Sequence, residues 1–170
     1  MSQTRFINPQ ALGRPPGYTH VVEVTAPGRI VYIAGQLGVD RDGKIGDFQR
    51  QAVQTFENLK TALAAVGAEF RHVVKLNNYL VDRAHLPTFR EVRDGYLAEN
   101  DRPASTTIAI SGLAREGALI EIEAVAVLPA AARAKARSKS ASKSASKSAS
   151  PARKRRTARP ARRRARAGRR

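Results

Sequence analysis

The chain has 170 residues, room for one domain and an appendage rather than two cores. Its hydrophobic share of 42%, with only 5% aromatic residues, implies that part of it buries little. Charge locates that part. Residues 1–132 carry 14 Lys+Arg against 14 Asp+Glu, whereas 133–170 carry 17 Lys+Arg and no acid, which is the whole net charge of +17.

The lack of cysteine excludes disulfides, thiolate metal sites and a cysteine nucleophile. The N-terminal stretch has no apolar core of signal-peptide length, and no apolar run could span a bilayer, so a cytoplasmic protein without a membrane partner is expected. The three histidines, His20, His72 and His85, are not paired on one helical turn, and neither a metal nor a cofactor is expected.

In chain order, Tyr18 to Val24 alternates and meets Pro27-Gly28, and the β-branched run from Arg29 stops at Gly35 and Gly38, so two strands joined as a hairpin are predicted. From Asp47 the spacing of Phe48, Ala52, Phe56, Leu59, Leu63 and Val66 predicts a helix packed on a sheet. Asp47 is its cap, and Gly67 stands where a left-handed residue is wanted. Val73 to Val81 reads as a strand and Leu86 to Leu97 as a second helix. Ser105 to Ile110 and Leu119 to Leu128 complete an α+β order of β-β-α-β-α-β-β. In the last strand Ile120, Ile122, Ala124, Ala126 and Leu128 point one way and Glu121, Glu123, Val125 and Val127 the other. Two helices cover only one face of such a sheet, so the second is expected to meet another subunit.

No phosphate loop, GxGxxG or nucleophile elbow is present. Tyr18 and His20 share a face of their predicted strand, and Glu121 is a carboxylate within an otherwise apolar strand, which must be partnered, solvated at a cleft or shifted in pKa. His72 and His85, flanking strands, are expected to be solvated.

The segments PPGYTHVV, YIAGQLGVD, QAVQTFENLKTALAAVGA, VVKLNNYLVD, FREVRDGYL, RPASTTIAISGLA and LIEIEAVAVL follow one another in an order and spacing that resembles the RidA (YjgF) family, the reactive imine/enamine deaminases, over about residues 5–128. The resemblance implies a chorismate-mutase-like fold, a sheet with two helices on one face, and a homotrimer with clefts between subunits. Those clefts take a small-molecule ligand. Tyr18 matches the family's first-strand tyrosine, Gly35 the glycine of its SGQ motif, and Glu121 the glutamate that positions the hydrolytic water. With His20, Tyr18 and Glu121 form the expected catalytic set.

The departures sit in the substrate-binding positions. Where active deaminases read P-A-R-S-C-V, this chain reads Pro103-Ala104-Ser105-Thr106-Thr107-Ile108, so Ser105 replaces the carboxylate-gripping arginine and Thr107 the cysteine. Ala34 stands where many members have serine, and Arg90 where many have asparagine. A serine hydroxyl does not reproduce the charged fork of an arginine, so poor deamination of 2-aminoacrylate-type imines is expected. These residues are compatible both with a weakened C–N hydrolase or deaminase and with a cleft that only binds its ligand.

After Leu128 no aromatic or branched aliphatic residue occurs, and the unit SKSA recurs from Ser138 to Ala149. Two regions are therefore expected: a RidA-like domain at 1–131 and a disordered basic tail at 132–170. The tail resembles the basic arms of linker histones. Lys154, Arg155, Arg156, Arg162, Arg163 and Arg164 are its expected contacts to DNA or RNA, without sequence preference, and association with the nucleoid is the localisation such a tail would give. Two readings stand: a cleft enzyme with an added tail, or a non-enzymatic nucleic-acid-associated protein whose trimeric body is a scaffold.

Overall fold

The computed structural model describes residues 3–25 and 28–130. The expected tail at 132–170, with its six proposed nucleic-acid contacts, lies outside them. The elements are β1 (Gln3–Ile7), β2 (Val21–Thr25), β3 (Arg29–Leu37), α1 (Phe48–Ala65), β4 (Val73–Leu80), α2 (Leu86–Tyr96), β5 (Ala104–Ala109) and β6 (Ile120–Leu128).

The α1 stripe is buried as its spacing requires: Ala52, Phe56, Leu59 and Leu63 are fully covered, and Phe48 nearly so. Burying a phenylalanine of this kind contributes about 2–3 kcal/mol. The Asp47 side chain accepts from the Arg50 amide at 2.9 Å, and Gly67 has φ 72° just beyond the C-terminus. Polar side chains then set how α1 sits on the sheet. Asn58 donates to the Leu37 and Val39 carbonyls, both at 2.9 Å, and buried Gln51 bridges the Gly46 and Gly117 carbonyls and the Leu119 amide.

The main sheet has the order β3-β6-β4-β5. The neighbours β4 and β5 are parallel, as a crossover through α2 demands. The last strand enters between β3 and β4, antiparallel to both. Alternation along β6 buries Ile120, Ile122, Ala124, Ala126 and Leu128 beneath the helices and turns Glu121, Glu123 and Val125 to the second face. There Tyr32 is 79% exposed, Ile30 50% and Ile108 48%.

Two expectations at the N-terminal end are corrected. A further strand, β1, precedes those predicted, and it pairs antiparallel with β2 in a separate two-stranded sheet. The predicted hairpin of β2 with β3 is therefore not formed: β3 takes β6 as its partner. The five-residue β1 alternates too weakly to announce itself, and pairing by a non-local partner overrides adjacency in the chain.

Candidate functional site

Tyr18 lies in the loop before β2, not on a strand as expected. The loop is shaped by Pro15-Pro16-Gly17, with the Gly17 amide donating to the Pro15 carbonyl at 3.0 Å. Gly17 has φ 88°, and a Cβ there would strike the guanidinium groups of Arg93 and Arg102. The Thr19 amide donates to the Pro103 carbonyl at 3.2 Å, which ties this loop to the start of β5 and brings Tyr18 beside Ser105.

His20 meets the Tyr18 ring edge-on, centroids 5.3 Å apart, so the expected proximity holds although both are in a loop. Its Nε2–H donates to the Gly13 carbonyl at 3.3 Å. The other two histidines are not simply solvated. The His72 Nδ1 accepts from the Glu69 amide at 3.0 Å, and His85 stacks on Phe48 with centroids 4.0 Å apart.

Ser105 and Thr107 share the helix-side face of β5 with the polar residue Asn78 of β4. The Asn78 Nδ2 lies 2.9 Å from Ser105 Oγ, 3.2 Å from Thr107 Oγ1 and 2.9 Å from the Thr106 carbonyl. The carbonyl fixes the amide orientation, since only the NH₂ end can face it. Asn78 is 1% exposed and its Oδ1 has no partner among the described residues.

Above this floor opens a cavity of about 470 Å³ lined by Tyr18, Arg83, Arg90, Arg93, Ser105 and Thr107 together with apolar Leu80, Leu86 and Phe89. Arg93 is buried on the α2 core face. Its Nε and Nη2 both reach Asp94 Oδ1 at 2.8 Å, and Arg102 Nη1 reaches the same oxygen at 2.6 Å. Burial acts to raise the Asp94 pKa, but the two arginines outweigh it and hold the carboxyl below its ordinary value.

Glu121 is elsewhere. It lies on the second face, its carboxylate against Gly35 at the irregularity where β3 slips register between Ile33 and Gln36, beside exposed Ala34. No side-chain hydrogen bond or ion pair is made by Glu121 among the described residues. Its neighbour Glu123 accepts from Tyr79 Oη at 3.2 Å and from Asn77 Nδ2 at 3.3 Å. Burial first, then the charge and hydrogen bond of Glu123, and least the charge of Glu121, raise the Tyr79 pKa above its ordinary value.

The structure thus brings Tyr18, Arg90, Ser105 and Thr107 together and leaves Glu121, Gly35 and Ala34 as a second group on the opposite face. Sequence reasoning missed Asn78, Arg83 and Arg93. A signal existed for two of them: Asn78 interrupts the buried set of Leu76 and Leu80, and Arg93 falls on the apolar stripe of Phe89, Val92 and Tyr96. Among the described residues no group of three His, Asp or Glu side chains is gathered as a metal site needs, and no helix is long and apolar enough to cross a membrane.

Residues 10–128 match the family model described as Endoribonuclease L-PSP. The chain is 36% identical over 122 residues to Protein DfrA of Myxococcus xanthus, covering 70% of this chain and 88% of that protein. It is 34% identical over 122 residues to the 2-iminobutanoate/2-iminopropanoate deaminase of Mus musculus, covering 70% and 84% respectively. The crystal structure of the Rid-family protein YyfB from Yersinia pestis superposes with TM-score 0.64 at 35% identity, over 74% of this chain and 98% of that one. With the α+β topology and these likenesses in agreement, the chain belongs to the Endoribonuclease L-PSP family, the RidA/YjgF group.

Proposed function

We propose that the chain binds or hydrolyses a small imine or enamine in a cleft completed by two copies within a homotrimer. The observation that carries this reading is the division of the site between opposite faces of one sheet. A side chain does not pass through its own sheet, so Glu121 acts with Tyr18, Arg90, Ser105 and Thr107 only if the second face of one copy meets the helix-side cavity of another. Exposed Tyr32, Ile30 and Ile108 give that contact apolar surface to bury. The named activity of the mouse relative supports the reaction class.

In the joined cleft the Glu121 carboxylate holds a water against the imine carbon. The water oxygen bonds to that carbon while the C=N electron pair moves to nitrogen, and protons pass to nitrogen through Glu121 and the Tyr18 hydroxyl. Collapse of the carbinolamine expels ammonia and leaves the carbonyl compound. His20, its Nε2 engaged by Gly13, braces Tyr18 from the side. Ala34 and Gly35 leave room for the carboxylate, and Ser105 with Thr107 orients the substrate without the arginine of active deaminases.

Semicarbazide trapping of 2-aminoacrylate tests this reading, with sedimentation of the full chain. Expected are weak turnover by the wild type, its loss in Glu121→Gln, a gain in Ser105→Arg, and a particle of three 18.5 kDa chains. Fast turnover indifferent to Glu121→Gln, or a stable monomer, defeats the reading.

The confinement of all net charge to residues 133–170 favours a second, separable role. In this reading the tail binds DNA or RNA through its phosphates by way of Lys154, Arg155, Arg156, Arg162, Arg163 and Arg164. The trimeric body then gathers three tails, raising their avidity.

A further inference from the structure

We infer that the cavity above Ser105 and Thr107 is built for a ligand carrying two acidic groups, a dicarboxylate or a phosphorylated carboxylate; this rests on the cleft reading above and narrows its substrate class. The cavity is lined by three arginines and several hydroxyl groups and by no Asp or Glu.

Its hydroxyls are turned into donors. One Asn78 N–H serves the Thr106 carbonyl and the other is shared by Ser105 Oγ at 2.9 Å and Thr107 Oγ1 at 3.2 Å, so both hydroxyl oxygens accept from below and their own O–H groups are left for the cavity. A floor of donors under a wall of guanidinium groups suits a ligand that only accepts, which is the chemistry of carboxylates and phosphates.

The count of free cations argues for two acidic groups. Arg93 is offset by Asp94, which Arg102 shares. Arg83, just before α2, and Arg90, seven residues on, have no side-chain hydrogen bond or ion pair among the described residues. A single carboxylate leaves one of them unmatched. A Glu121 contributed by a neighbouring copy would oppose an anion, which makes two free guanidinium groups on the other side of the ligand more necessary.

The test is calorimetric titration of the full-length protein with pyruvate, 2-oxoglutarate and phosphoenolpyruvate, at about 0.15 M salt to screen diffuse attraction to the tail. Expected is binding of one of the two doubly acidic probes about tenfold or more tighter than pyruvate. Which one leads decides between a second carboxylate and a phosphate. Arg83→Gln/Arg90→Gln should abolish that advantage with an unchanged melting temperature, because both side chains are exposed. Equal affinity for pyruvate, or a preference that survives the double substitution, overturns the inference. Retained pyruvate binding without preference would overturn it alone, whereas binding of no probe would sink the cleft reading as well.

Discussion

Gly35→Ala separates the position of Glu121 from the stability of the fold. Gly35 is not among the residues with positive φ, so the backbone accepts alanine. The new Cβ, however, would overlap Glu121 Oε1 and lie 2.6 Å from its Cδ and 2.9 Å from its Cγ. These atoms end a flexible side chain, so the carboxylate moves by about 1 Å, and a misplacement of that size costs about 10²-fold in rate. Reduced freedom of the unfolded chain stabilises by about 0.4–1 kcal/mol, and a strained rotamer costs about 0.5–1.5 kcal/mol. The melting temperature should consequently change by only a few degrees. Gly95→Ala, in α2 with nothing within 4 Å of the added methyl, is the control and should stabilise by about 0.5–1 kcal/mol at full activity. The assay is imine hydrolysis by trapping, run beside thermal melts, on Gly35→Ala, Glu121→Gln and the double variant. If displacement of the carboxylate is the cause, the double variant is no worse than Glu121→Gln. Wild-type turnover in Gly35→Ala, or additive losses in the double variant, would refute the reasoning.

Asn78→Val removes a donor from three oxygens, at a cost of about 1–3 kcal/mol, and also removes a buried Oδ1 without a partner, which returns a similar amount. Its melting temperature should stay near wild type while calorimetry shows several-fold weaker 2-oxo acid binding. Tyr96 donates to Glu57 at 2.9 Å, and burial followed by that hydrogen bond raises its pKa from 10.0 to about 12. A raised folded pKa means the contribution is whole below pH 10.0 and is lost as pH climbs towards about 12, so alkaline melts of wild type should show a decline that Tyr96→Phe lacks. Engagement of about 8 phosphates by the tail predicts a slope of log K against log salt near −7, hence a loss of about four decades between about 50 and 200 mM. Fluorescence anisotropy on unrelated duplexes measures it, and deletion of residues 133–170 should abolish the binding.

The sequence by itself determined the elements whose signal is local. The 3.6-residue stripe from Phe48 to Val66, its cap Asp47 and the two-residue alternation of β6 are written in neighbouring residues, because burial of one face imposes that period on the chain. The motifs also carried the family, and they singled out Tyr18, Gly35, Ser105 and Glu121 as the residues of the proposed site. Tertiary structure decided what depends on partners distant in sequence. That β3 pairs with β6, and β2 with an unforeseen β1, is a matter of which non-local ladder forms. The separation of Glu121 from Ser105 follows from the same cause. Two strands each show which residues alternate, but only their register in a shared sheet says whether those sets face the same side. Arg83 and Arg93 line the cavity, and Asn78 supports its floor, for that reason too: the local pattern shows Asn78 and Arg93 only as polar interruptions of apolar sets and Arg83 not at all, and the crossover through α2 is what brings them to β5.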